Sequence, residues 1–177
     1  IGALAGDALT DADKNVAIGK GALSSDTLGS KSVAVGQGTL NVQNFTTATD
    51  SVNVAVGHQA GAAVTTGIKN TLLGGLAGDA ITDGDFNVAV GHNALTADTL
   101  GSRSVAVGTF SLVSQNFTTA TNAYNVAVGY SAGNLITTGD SNTLLGGLVG
   151  DALTTGNSNV AVGYNALTTA TGDSGVV

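Results

Sequence analysis

One short phrase organises the chain: a polar residue, then an aliphatic–small–aliphatic triplet, then glycine. It reads Asn87-Val88-Ala89-Val90-Gly91 in one copy and returns nine times in 177 residues. The glycines are Gly19, Gly36, Gly57, Gly74, Gly91, Gly108, Gly129, Gly146 and Gly163, and Gly2 fits the same series. From Gly2 onward the intervals run 17, 17, 21, 17, 17, 17, 21, 17 and 17. Four successive intervals sum to 72, so Gly19, Gly91 and Gly163 mark equivalent points of a larger unit. A fixed period of this length is the signature of a stacked repeat architecture.

Side chains alternate across a strand. One face of the repeated strand therefore carries Val16/Ile18, Val33/Val35, Val54/Val56, Thr71/Leu73, Val88/Val90, Val105/Val107, Val126/Val128, Thr143/Leu145 and Val160/Val162. The other face carries Ala, or Leu at Leu72 and Leu144. Neither face is charged, which predicts a strand buried on both sides, as parallel strands usually are. Stacking each strand on its copy one period later gives an all-β, parallel β-solenoid. Its rungs have 17 residues, with one 21-residue rung in each 72-residue unit. With strands about 4.8 Å apart, ten rungs make a rod roughly 45–50 Å long. Residues 1–177 read as one continuous array of about 2.5 units, cut from a longer fibre, since Ile1-Gly2 aligns with Leu73-Gly74 and Val177 with Val105. A three-faced hexapeptide β-helix is not indicated, because six positions after Ile18 stands Ser24 and six after Val90 stands Thr96.

Asn or Ser opens each phrase. Asn15, Asn53, Asn70, Asn87, Asn125, Asn142 and Asn159 are expected to form a ladder of amides bonded from rung to rung. The closing glycine permits a bend closed to residues with a Cβ. After it the rungs diverge. Those beginning at Asn15, Asn87 and Asn159 continue Ala-Leu, whereas those from Asn53, Asn70, Asn125 and Asn142 place a Gly and then Val64, Ile81, Ile136 or Leu153. The long rungs, from Ser32 and Ser104, carry their extra residues around Asn44–Thr49 and Asn116–Thr121, predicting one protruding loop per unit.

The phrases Ser104-Val105-Ala106-Val107-Gly108 and Asn87-Val88-Ala89-Val90-Gly91, with Ala94-Leu95 after the second, resemble the head repeats of YadA-type trimeric autotransporter adhesins. Related repeats occur in phage tail fibres and extracellular filament proteins. The resemblance covers the whole chain. It implies a left-handed β-roll in a side-by-side homotrimer, with the valine positions as the structural core of each roll and the alanines near the trimer axis. It also implies a place on a cell surface, free filament or virion.

Composition narrows the chemistry. There is no Cys, Met, Trp or Pro, and Gly contributes 27 residues. Disulfides, thiolate metal sites and a cysteine nucleophile are thereby excluded. A net charge of −7 with no basic run argues against nucleic acid as a partner. No 18-residue apolar run is present, so no membrane insertion is expected. All twelve acids are Asp. Asp7, Asp79 and Asp151 recur at 72-residue spacing, and with Asp83 and Asp85 they are candidates for Ca²⁺ on a turn, weighed against turn capping, which is the preferred reading. His58 and His92 follow the rung glycine, but their counterparts one unit on are Tyr130 and Tyr164, so they are taken as exposed rim positions. No nucleophile–base pair or phosphate loop survives in every unit, and no enzyme is expected.

Phe45, Phe117 and Tyr124 lie in or beside the long-rung loops. They either tuck over the roll edge, pack on a neighbouring chain, or anchor a receptor or glycan. The functional expectation is an extracellular structural fibre or adhesin shaft that continues end to end. The alternative is a module that binds glycan, ice or mineral through repeated loops or Thr faces.

Overall fold

A computed structural model describes residues 1–173 and 175 of the chain; the alignment of Val177 with Val105 lies outside them. Thirteen short strands follow in order: β1 (Val16–Ile18), β2 (Gly29–Ser30), β3 (Val33–Val35), β4 (Thr49–Asp50), β5 (Val54–Val56), β6 (Thr71–Leu73), β7 (Val88–Val90), β8 (Gly101–Ser102), β9 (Val105–Val107), β10 (Thr121–Asn122), β11 (Val126–Val128), β12 (Thr143–Leu145) and β13 (Val160–Val162). Among the described residues there is no helix, and hence none long and apolar enough to cross a membrane.

The nine three-residue strands are the nine phrases. They pair in parallel in the order β1-β3-β5-β6-β7-β9-β11-β12-β13, one rung above the next. Register is kept to the residue: Val88 lies over Val105, Ala89 over Ala106 and Val90 over Val107. The step across a long rung is equally aligned, with Val33 over Val54 and Ala34 over Ala55. The extra residues leave the stack as exposed loops at residues 46–48 and 118–120. Each is pinned by a two-residue parallel pair, β2 with β4 and β8 with β10. The chain is a β-solenoid.

The facing of the strand reverses the expectation. Ala34, Ala55, Leu72, Ala89, Ala106, Ala127, Leu144 and Ala161 are fully buried inside the roll. The supposed core residues Val16, Ile18, Val33, Val35, Val54, Val56, Leu73, Val88, Val90, Val105, Val107, Val126, Val128, Leu145, Val160 and Val162 point outward and are half-buried or exposed. The reason is thickness. Leu23, Leu40, Leu95 and Leu112, four residues past the rung glycine, fill the roll from its other side, leaving the strand room for little more than a methyl.

Where the strand contributes Leu, the opposite wall gives way. Leu72 spreads over Gly61 and Gly78, whose imaginary Cβ atoms would stand 2.7 Å from its methyls, and Val64 and Ile81 complete the layer. Leu144 does the same over Gly133 and Gly150, at 2.9 and 3.0 Å, with Ile136 and Leu153. The rung types read from the sequence are thus two solutions to one volume problem.

The turns are built on left-handed backbone. The phrase glycines have φ between 128° and 142°, and in each from Gly2 to Gly146 a Cβ would meet the backbone of the next phrase glycine at 2.2–2.7 Å. The residue before each phrase is also left-handed, from Lys14 to Ser158, with φ between 50° and 66°, and none of these nine is Gly. A left-handed L-residue costs about 1–2 kcal/mol. Such a cost persists only where the surroundings over-determine the geometry, and here the hydrogen bonds of adjacent rungs do so.

Candidate functional site

The best-ordered polar column is the ladder that opens the phrases. Asn87 is fully buried; its Oδ1 accepts the backbone N–H of Ser104 at 2.9 Å and its Nδ2 donates to Gly101 O at 2.9 Å. Asn70 and Asn53 repeat the arrangement, as do Asn125 and Asn142, and Asn15 begins it. The ladder differs from stacked amides in kind. Each side chain ties the strand above to a turn carbonyl of its own rung, and ladder asparagines also bond directly to one another at Asn142 to Asn125 and Asn159 to Asn142.

Ser32 and Ser104 are too short to make the same bridge, and the long rung supplies a replacement. Gln115 is fully buried, accepts from Asn125 Nδ2 at 2.8 Å, and donates to Ser104 Oγ at 3.1 Å and to the Asp98 carboxylate. Gln43 bridges Asn53, Ser32 and Asp26 in the same way. Asp98 Oδ1 takes the N–H groups of Gly101 and Phe117, and Asp26 Oδ1 those of Gly29 and Phe45. Burial raises the Asp98 carboxyl above its ordinary value, against the opposing pull of Gln115 and of those N–H groups. This buried cluster escaped the sequence reading. Its signal was there, since Asp26/Asp98 and Gln43/Gln115 both recur at 72 residues.

That cluster also decides the loop aromatics. Phe45 and Phe117 are buried, only 6% exposed, and the Phe45 ring lies against Gly29. They seal the loop base and are not exposed contact points, because their own N–H groups are tied to the buried Asp26 and Asp98 carboxyls. Tyr124 is 54% exposed and belongs to another column, the left-handed residues preceding each phrase. That column holds Lys14, Lys31, Lys69, Phe86, Arg103 and Tyr124, and so four of the five basic residues. Lys69 Nζ stands 5.0 Å from the Phe86 centroid, and the Arg103 guanidinium 5.0 Å from Phe86 and 6.0 Å from Tyr124. Lys31 pairs with Asp50 on the surface.

The aspartates proposed for calcium do not converge. Among the described residues no three His, Cys, Asp or Glu side chains are grouped to hold a metal ion. Asp7, Asp79 and Asp151 occupy one row but stand four rungs apart, about 19 Å. Asp79 accepts from Thr96, Asp83 from Thr65 and Thr66 at 2.6 Å each, and Asp85 from the Ile68 N–H at 2.8 Å. The hydroxyls of Thr65 and Thr66 hold the Asp83 carboxyl below its ordinary value. These carboxylates stitch neighbouring rungs.

The opposite rim, just after the phrase glycine, is aromatic. His58 and His92 are exposed there, as are Tyr130 at 57% and Tyr164 at 75%. Phe110 fills the gap between two of them, its centroid 5.8 Å from His92 and 6.3 Å from Tyr130, edge to face in both cases. Among the described residues no pocket opens in the surface. No protein-family model, curated protein or solved structure matches the chain.

Proposed function

We propose that the chain is a rigid segment of an extracellular structural fibre, an adhesin shaft, free filament or phage tail fibre, whose copies associate side by side as a homotrimer. The observation that carries this reading is the outer face of the nine-stranded sheet. Two parallel columns of Val, Ile and Leu, interrupted only by Thr71 and Thr143, run from β1 to β13 and remain half-exposed in the single chain. A long uncharged strip of this kind marks an interaction surface, and covering it contributes about 25 cal/mol per Å². A solenoid lengthens by adding rungs, each resting on its neighbours, which suits a shaft extended end to end. The resemblance to the YadA-type head repeats supports three chains. With the alanines inside the roll, the contact between chains falls on the valine face.

Light scattering on the chain tests the association. A particle of three times 17.1 kDa is expected, and a folded monomer of 17.1 kDa overturns it. The second reading, a surface-recognition module, is favoured by the exposed rings on the turn rim.

A further inference from the structure

The position immediately after the phrase glycine follows a rule of its own. From Gly57 onward it holds His58, Gly75, His92, Thr109, Tyr130, Gly147 and Tyr164. A planar ring stands on every second rung, and a small residue stands between. The spacing is not accidental to the packing. An imaginary Cβ on Gly75 lies 3.5 Å from His92 Cδ2, and one on Gly147 lies 3.5 Å from Tyr164 Cδ2, so each ring leans along the rod onto the bare backbone of the rung before it. A methyl at either glycine would only touch the ring, whereas a longer side chain would crowd that place. The exchange of His for Tyr between units argues against metal ligation or proton transfer, but it preserves what the two side chains share, a flat ring with an apolar face.

From this row we infer a binding site for an extended, neutral, β-1,4-linked glycan lying along the rod. Two rungs span about 9.5 Å. In such a glycan each sugar is turned over relative to the last, so the same face returns once per disaccharide, at nearly that distance. Rings set on alternate rungs therefore meet equivalent sugar faces. The apolar C–H face of a pyranose stacks on an aromatic ring, and its hydroxyls need hydrogen-bonding neighbours. Gln59 and Asn165, each next to a ring and neither buried, place amides beside the row. Between His58 and Asn165 neither this position nor the next holds Lys, Arg or Asp, which selects a neutral chain over a uronate or sulfated one. Phe110, edge-on to both His92 and Tyr130, fixes the middle of the platform. The site is complete within one chain and does not rest on the association proposed above.

The test is a calorimetric titration of the whole chain with cellohexaose, chitohexaose and, as a helical contrast, maltohexaose, with particle mass followed in parallel. Saturable binding of a β-1,4 hexamer is expected. Tyr130→Ala and Tyr164→Ala should each weaken it about tenfold, the value of one stacked ring. His92→Tyr should retain it, because the equivalent position one unit on is a tyrosine, and Tyr124→Ala on the other rim should leave it unchanged. The inference is overturned if neither β-1,4 hexamer binds, if maltohexaose binds equally well, or if affinity ignores both tyrosine variants. It is likewise overturned if those variants change only the particle mass.

Discussion

Gly74 and Gly75 are neighbours in the chain with opposite duties. Gly74 has φ of 141°, and a Cβ there would stand 2.4 Å from Gly91 O. Gly75 has no left-handed φ, and its nearest obstacle is the edge of the His92 ring at 3.5 Å. Gly74→Ala is expected to cost about 2 kcal/mol or more, through strain and a backbone clash. Gly75→Ala should change the melting temperature little, since its Cβ meets only ordinary contact. Thermal unfolding of the two variants checks the pair, and equal losses would show that the left-handed column is not what closes the rung. Asp98 gives the second residue-level test. Its folded-state carboxyl titrates above the ordinary 3.8, with burial as the main cause. The protonated form is thus the one favoured by folding. The stability this group adds is fully present below the ordinary value and is lost as pH rises through the raised one. Asp98→Asn cannot titrate, so the melting temperature of wild type relative to this variant should be highest in acid and fall with rising pH. A difference that is flat with pH would contradict the assignment.

At the scale of the rung, the Asn side chain is what joins one turn to the next. Asn87 satisfies a strand N–H above it and a turn carbonyl of its own rung, both buried. Asn87→Ala strands both groups, at about 1–3 kcal/mol each. Asn87→Asp retains the acceptor but sets a carboxylate oxygen against Gly101 O, and is expected to destabilise at least as much at neutral pH. Denaturant unfolding of the two variants measures this, and a loss below about 0.5 kcal/mol in Asn87→Ala would mean that water replaces the amide. The ladder was legible from the sequence because the phrase always opens on Asn or Ser. Its bonding pattern was not, since position alone does not say whether an amide meets another amide or the backbone. The substitute at the serine rungs was equally hidden. Gln115 stands outside the repeated phrase, and only the closing of the long rung carries it under Asn125 and onto Ser104 and the Asp98 carboxyl of the rung before.

For the molecule as a whole, the proposed association turns on the valine face. In a fibre of associated chains, lysines at Val90 and Val107 would bring like charges into a contact built from aliphatic columns on β7 and β9. Val90→Lys together with Val107→Lys is expected to reduce the particle to a single chain while leaving the β-sheet circular dichroism intact, because neither side chain belongs to the roll interior. An unchanged particle mass would place the contact elsewhere on the rod. The cationic rim of Lys14, Lys31, Lys69 and Arg103 borders one end of the strands and the ring-bearing turn the other, so the aliphatic strip lies between a basic edge and an aromatic one.

What the sequence by itself determined is the period, and with it the stack. Seventeen- and 21-residue intervals between glycines that cannot bear a Cβ leave parallel, in-register strands as the arrangement that superposes every copy. The tertiary structure alone decided which way the strand faces. Alternation separates valine from alanine but is silent about inside and outside, and an uncharged strand looks buried on both sides. Only the leucines reaching in from the turn, and the glycines that yield to Leu72 and Leu144, fix the interior as too narrow for valine on every rung. That same geometry turned the aliphatic columns outward.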